Sequence, residues 1–529
     1  MKRTLLLIFI ALGIIYTIES TDILGFRSYR PRLEAAIINN EYVLSWARLP
    51  YLSYYDVEVF QSPTDQHNPS GERVMVYRTW NNHLTVSQDL PANTYWRVSA
   101  HGLFFKPLGT YSNLLRLSEI AGDNSLIKPE SILDYTQASP ASDRPILTWT
   151  SVPGAVFYEF ELLAAPPENP NDVLPSDYRL YASREVFTNG YNPDLSHYAG
   201  NSLFWRVRAM DYDGNPIGVF SDAKEIYISH TSSEHLKPRI NVDFEDNPPP
   251  LYPVYSWIPL TGATSYEVEI LDQPPENPND IIPSEHRIWS STVTGFDCYD
   301  EEPRITPGVY YWRVRGLDDS GNPVGVYSDT GQYVILPPKK LYAATFGDSI
   351  THGGGAVSYS PANPEYNYQT YLNFPAFNLG RSGDTTATML DRFDQDVLPF
   401  CPQYLIILGG SNSLRGGTPA SSVIADLSTI RDKCLARGIR PIFLTLPPVN
   451  PAAVKKVFDE STVPDWQLEF AKVNSFIRQQ RYYIDIAPYL TGANGELPDS
   501  MAVDGLHPDI PGKQLMAQAI NASWTRVTH

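Results

Sequence analysis

Hydrophobic and polar positions follow two different rhythms along this chain. Before about residue 337, apolar residues alternate with polar ones over short runs. In Tyr266-Glu267-Val268-Glu269-Ile270 the tyrosine, valine and isoleucine fall on one side and the glutamates on the other. A period of two predicts a half-buried strand. Many such runs, punctuated by Pro, Gly and Asn, predict β-sandwiches. From Leu341 the rhythm changes. Apolar runs at Leu341 to Phe346, Ala376 to Leu379, Tyr404 to Leu408, Ile442 to Leu446 and Tyr482 to Ile486 read as buried strands. Between them Val423, Leu427, Ile430 and Cys434 fall at helical spacing, as do Trp466, Phe470, Val473 and Ile477. Alternating strand and helix predicts a parallel sheet with right-handed crossovers and helices on both faces.

The strand-rich part repeats itself. Leu147-Thr148-Trp149 returns as Tyr255-Ser256-Trp257, and Phe204-Trp205-Arg206-Val207-Arg208 as Tyr311-Trp312-Arg313-Val314-Arg315. Asp213-Gly214-Asn215-Pro216 returns as Ser320-Gly321-Asn322-Pro323, and the loop Pro166 to Asp172 as Pro274 to Asp280. A divergent copy precedes both, with Ser45-Trp46 and Tyr95-Trp96-Arg97-Val98. Through the early Trp and the later Tyr-Trp-Arg-Val-Arg strand, the copies resemble fibronectin type III modules. The expected division is a signal peptide or anchor at 1–20, sandwich modules at 24–118, 128–230 and 237–336, and an α/β domain at 341–529. Ala138 to Arg144, Asn247 to Pro250 and Pro337 to Lys340 read as semi-rigid linkers. Trp149 and Trp257 are expected in the cores rather than on sugar-binding surfaces. The Asn- and Asp-bearing loops read as surface loops rather than calcium sites.

Composition narrows the function. The formal charge of -19 excludes the basic footprint that nucleic-acid binding needs. Lys2 and Arg3 before an apolar run from Leu5 to Tyr16 read as an export signal. The expectation is a secreted, periplasmic or cell-surface protein, touching a membrane only if that segment stays on as an anchor. Cys298, Cys401 and Cys434 are few and odd in number and form no metal spacing. Neither HExxH nor a P-loop occurs, so no metal and no cofactor is expected.

The chemistry gathers after the strands of the last domain, where open parallel sheets bind ligands. Gly347-Asp348-Ser349-Ile350 follows the first strand, Asn378-Leu379-Gly380-Arg381-Ser382-Gly383-Asp384-Thr385 the second and Gly409-Gly410-Ser411-Asn412 the third. Asp504-Gly505-Leu506-His507-Pro508 follows the fifth. A serine hydroxyl needs a base within reach, an imidazole can be that base, and a carboxylate can fix its tautomer. Ser349, His507 and Asp504 supply the three. The N–H groups of Ser349 and Gly383 and the amide of Asn412 can hold an oxyanion. Taken singly, Ser349 and Asp509 would read as helix caps, Asn412 as a turn residue and His352 as a surface or pocket-lining residue.

These four blocks, in this order, resemble the SGNH, or GDSL-type, hydrolase superfamily across residues 341 to 520. The resemblance implies a flavodoxin-like three-layer sandwich with strand order 2-1-3-4-5. It implies Ser349 as nucleophile, His507 as base, Asp504 as its aspartate, and Gly383 and Asn412 as oxyanion donors, with Gly380 a turn glycine. The expected protein is an exported serine esterase acting on short O-acyl esters, acetyl on a glycan among them. The alternatives are a lysophospholipase or thioesterase of the same fold, or an adhesion protein without turnover. The stretches Gly353 to Gln369 and Pro447 to Trp466 are expected to shape the acyl and alcohol pockets.

Overall fold

The protein was analysed as a computed structural model. It describes residue 16 and, from 31 on, all but 32, 39–40, 47–48, 50–52, 62–72, 88–93, 105, 113–114, 117–126, 199–202, 230–234, 243, 245–247, 338, 356–359, 493 and 529. The expected signal segment, 1–20, therefore lies outside the described residues except for Tyr16.

Three strand-built units precede the last domain, and they share one plan. In each, a central strand pairs antiparallel on both sides. Phe157–Leu163 lies between Arg179–Val186 and Leu203–Met210, and Ser265–Leu271 lies between Arg287–Val293 and Gly308–Leu317. In the divergent first copy, Tyr54–Gln61 lies between Arg73–Thr79 and Thr94–His101. A second small sheet accompanies each. The same tyrosine hydroxyl accepts an N–H six residues upstream in all three copies: Leu49 to Tyr55, Val152 to Tyr158 and Leu260 to Tyr266, at 2.8, 3.1 and 2.7 Å. Trp149, Trp205, Trp257 and Trp312 are buried in the cores, as expected of the first and third of these.

One expectation fails in an informative way. Glu267 and Glu269 do face away from Tyr266 and Val268, but Glu269 is fully buried. Its carboxylate accepts from Arg313 Nε at 2.6 Å, and Arg313 is equally inaccessible. The loop after Leu271 roofs this face, because the guanidinium also donates to the carbonyls of Asn277 and Ile282, at 2.9 and 3.2 Å. Glu161 and Arg206 repeat the arrangement under the loop carrying Asn169 and Leu174. The repeated loops are surface loops, as expected, and they also roof buried ion pairs.

Two of the expected linkers are not spacers. Ala141 is buried, and its N–H and C=O pair with Tyr227 and Ser229 inside the second unit. Pro248 to Pro250 lie between the paired strands Arg239–Ile240 and Val254–Ile258 of the third, with Asn247 outside the described residues. Leu251 and Tyr252, directly after the prolines, are buried in the core of the last domain.

That domain holds a parallel sheet of β1 (Ala343–Gly347), β2 (Phe377–Asn378), β3 (Tyr404–Leu408), β4 (Arg440–Leu444) and β5 (Tyr483–Ile484). Its order is β2-β1-β3-β4-β5. Every residue of β1 and β3 is buried, which explains their unbroken apolar runs. Helices α1 (Ser349–His352), α2 (Thr386–Asp396), α3 (Ser411–Arg415), α4 (Ala420–Ala436), α5 (Pro451–Phe458), α6 (Trp466–Arg478) and α7 (Ile510–Thr528) complete it. Val423, Leu427, Ile430 and Cys434 of α4, and Trp466, Phe470, Val473 and Ile477 of α6, are buried at the spacing expected. No helix among the described residues is long and apolar enough to cross a membrane.

Removing one member of a buried ion pair strands the other charge, at a typical cost of about 3–5 kcal/mol. Arg287 also pairs with Glu269, whereas Glu269 is the carboxylate that Arg313 meets among the described residues, so Glu269→Met strands the buried guanidinium and is expected to destabilise the third unit by about that much. The double variant with Arg313→Met should lose less than Glu269→Met alone. Urea unfolding of the three proteins checks the ordering.

Candidate active site

The turn after β1 sets the first part of the site. Asp348, not Ser349, caps α1: its Oδ1 accepts the Ile350 N–H at 3.0 Å. The Ser349 side chain is thereby released from capping, and its Oγ lies 2.8 Å from His507 Nε2. On the far side of the ring, His507 Nδ1 lies 2.8 Å from Asp504 Oδ2. An ionised carboxylate can only accept, so Nδ1 carries the proton and Nε2 presents its lone pair to the serine. Asp504 is buried, and its other oxygen accepts the N–H groups of Leu506 and His507 at 2.8 and 2.7 Å. The carboxylate thus folds its own loop and orients the ring that loop carries.

Gly383 and Asn412 reach the same cleft. Gly383 has φ +83°, a left-handed conformation that glycine adopts without cost. Asn412 Nδ2 donates to the carbonyl of Asp384 at 3.0 Å. An amide has two protons, so this bond sets the plane of the group and leaves a second donor. Gly380 lies just before the turn at Ser382 and Gly383 and serves a close approach: its N–H donates to Asn378 Oδ1 at 2.9 Å, and a Cβ there would lie 2.3 Å from the His352 backbone nitrogen.

The cleft has a volume of about 450 Å³. Ser349, His507 and Leu506 line it together with Gly353 to Gly355, Ser382, Gly383 and Asn412. Tyr299, Phe458, Arg415 and Glu460 complete its wall. Phe458 stands edge-on to His507 with ring centres 6.0 Å apart, and Arg415 Nη1 meets Glu460 Oε2 at 3.0 Å. The stretch from Pro447 to Trp466 thus reaches the cleft through Phe458 and Glu460. Among the described residues, the stretch from Gly353 to Gln369 does so through Gly353, Gly354 and Gly355. Its Tyr366 packs in the core of the second unit, and its Glu365 accepts from Ser151 Oγ at 3.1 Å. Phe458 and Glu460 were expected only as members of the stretch Pro447 to Trp466, and Tyr299 and Arg415 were not expected in the site. No local pattern marks them, and Tyr299 belongs to a different unit of the chain.

His352 overturns the reading of a surface or pocket-lining residue: it is buried. Its Nε2 lies 2.8 Å from the Tyr252 carbonyl, and its Nδ1 accepts the Ser382 N–H at 3.2 Å. The first bond requires a proton on Nε2 and the second requires none on Nδ1, which describes a neutral ring. Burial pushes its pKa down to about 4. Burial also raises Asp348 to about 6 and lowers Lys513, whose Nζ donates to the Ile350 carbonyl, to about 8. Asp509 directly precedes α7, and its Oδ2 accepts the Val503 N–H, upstream of the helix, at 3.0 Å. Among the described residues no group of three or more His, Cys, Asp or Glu side chains is placed to hold a metal ion.

Residues 345–515 match the model of the GDSL-like lipase/acylhydrolase family. Among solved structures, the chain is similar to a GDSL-like lipase from Bacteroides thetaiotaomicron, at 18% identity over 36% of this chain and 92% of that one, with a TM-score of 0.29. It is similar to a lipase/acylhydrolase from Enterococcus faecalis, at 21% identity over 36% and 97%, with a TM-score of 0.29. A third likeness is a catalytic mutant of an acetylxylan esterase from Geobacillus stearothermophilus, at 17% identity over 35% and 92%, with a TM-score of 0.27. No curated protein matches the chain in sequence.

A histidine whose folded pKa lies below its ordinary 6.5 favours the folded state fully above that value. This contribution is lost as pH falls from 6.5 towards 4, because the unfolded ring takes up the proton first. Asp348, raised to about 6, acts in the opposite sense between its ordinary 3.8 and 6. The His352 effect is therefore read against His352→Asn. The stability of the wild type relative to that variant should fall by up to about 3 kcal/mol between pH 7 and 4. Denaturant midpoints of the two proteins across that range check it.

Proposed function

We propose, from the premise that residues 345–515 form a GDSL-like lipase/acylhydrolase domain, that the protein is a serine esterase cleaving short O-acyl esters. The observation that supports this reading is the relay Ser349–His507–Asp504, with both bonds at 2.8 Å, opening into a cleft of about 450 Å³. Ser349 Oγ attacks the ester carbonyl as His507 Nε2 takes its proton. The oxyanion that forms is held by the N–H groups of Ser349 and Gly383 and by the Asn412 amide. Collapse breaks the bond to the alcohol, which leaves with the proton from His507, and the acyl group stays on Ser349. A water molecule, deprotonated by the same imidazole, then releases the acid and restores the serine.

The cleft wall supports a short acyl group and a hydroxyl-rich alcohol. Among the described residues its apolar side chains are Tyr299, Phe458 and Leu506, a small apolar surface that suits a short acyl group. Two half-exposed aromatic rings beside the Arg415–Glu460 pair offer faces and hydrogen-bonding groups together, which suits a sugar ring. An O-acetylated glycan is the substrate we favour. The strand-rich region before residue 337 we read as fibronectin type III-like modules. Lys2, Arg3 and the apolar run after them support export to the periplasm, the cell surface or the medium.

With p-nitrophenyl esters of increasing chain length, the full chain should turn over acetate to butyrate fastest. Ser349→Ala should fall to background and escape labelling by a phosphonate; a wild-type rate in that variant would rule the mechanism out. Asn412→Ala is expected to lose about 10²–10³-fold in kcat. A maximum at long acyl chains would point to the lysophospholipase or thioesterase reading.

A further inference from the structure

We infer that the third strand-built unit is part of the catalytic machinery: through Tyr252 it anchors the loop from Gly380 to Asp384 that carries Gly383. The inference rests on the proposed role of Gly383 and Asn412 in holding the oxyanion.

The tip of that loop has little support of its own. Gly383 is exposed, and nothing lies within 4 Å of where its Cβ would stand. Its flanks are held instead, and both holds end on the same residue. On one flank the Ser382 N–H and hydroxyl meet His352 Nδ1 at 3.2 and 2.9 Å, and His352 Nε2 donates to the Tyr252 carbonyl at 2.8 Å. On the other flank Asp384 Oδ2 accepts from Arg392 Nε at 2.6 Å. The same guanidinium donates to Asp396 Oδ2 at 2.7 Å, and that oxygen accepts the Tyr252 hydroxyl at 2.7 Å. Tyr252 therefore grips one side of the loop with its backbone and the other with its phenol.

Neighbouring contacts keep Tyr252 in place. The Leu251 N–H donates to the Asn378 carbonyl at 2.9 Å, just before the loop begins. Arg381 lies 5.3 Å from the centre of the Tyr252 ring, and its Nη2 meets Glu301 of the same unit at 3.0 Å. Arg392 also donates to the Gly347 carbonyl at 3.1 Å, at the end of the strand that leads into Ser349. A buried guanidinium thus links the nucleophile's strand, the loop of Gly383 and, through Asp396, the phenol of Tyr252. A donor displaced by a fraction of an ångström stabilises the transition state less while barely changing substrate binding. Tyr252 and His352 are accordingly positioning residues, and Tyr299 of the same unit completes the cleft wall.

The test compares the full-length wild type with Tyr252→Phe, His352→Ala and His352→Asn. It follows p-nitrophenyl acetate hydrolysis and amide hydrogen exchange of residues 380–385, with thermal unfolding to establish that each variant is folded. Tyr252→Phe should lower kcat about tenfold and His352→Ala about a hundredfold, with KM changed by no more than about twofold. His352→Asn should recover part of the loss, because its amide oxygen can accept the Ser382 N–H. Exchange in the loop should accelerate in step with the loss of kcat. Wild-type kcat in folded Tyr252→Phe and His352→Ala would overturn the inference. If the wild type hydrolyses no ester, the esterase reading fails by itself and exchange decides the anchoring: acceleration sustains it, and unchanged rates overturn it.

Discussion

A serine hydroxyl becomes a nucleophile only where a neutral imidazole can reach it, and here 158 residues separate the two along the chain. That one hydrogen bond places demands on everything between its ends. The parallel sheet meets them by putting β1 at an inner position, between β2 and β3, so that the turns after all three open onto one edge. Asp348 meets a local demand by capping α1, which frees the Ser349 hydroxyl from that duty. Asp504 meets another by tying its own loop with two backbone bonds before it orients the ring. Beneath them Lys513 enters from α7 to hold the Ile350 carbonyl, so the last helix braces the turn of the nucleophile.

What could be read in the residues was whatever depends on neighbours along the chain. The apolar runs of β1 and β3 and the helical spacing of α4 and α6 announce themselves, because burial of a continuous segment leaves a period in its composition. Ser349, Gly383, Asn412 and His507 were legible for a related reason: Ser349 and Asn412 lie in the first turn of short helices that follow strands, and Gly383 and His507 lie in loops just before helices. β4 lies two residues earlier than its apolar run suggests, Arg440–Leu444 against Ile442 to Leu446. Leu446 bonds the Asn474 side chain through both backbone groups and so belongs with α6.

The misreadings share one cause. Glu269 is a polar residue at a polar position, and nothing in its alternation tells that a loop will close over it. Prolines 248 to 250 stiffen the chain whether it spans a gap or pushes Leu251 and Tyr252 into another domain. Composition cannot separate the two, because the partner surface lies about a hundred residues away. His352 and Tyr299 were missed in the same way. Their roles are defined by a contact between units, and such contacts leave no period.

The second and third strand-built units also differ in how they meet the last domain. Counting from the shared Trp149 and Trp257, Arg144 occupies in the second unit the place that Tyr252 occupies in the third, and there it pairs with Asp194 at the surface. Conversely, Asp213 in the second unit's hairpin turn meets Lys456 of α5 at 2.7 Å. Two units of one plan thus meet the same domain through different residues. Neither could stand in the other's place without giving up the contact that its own position makes.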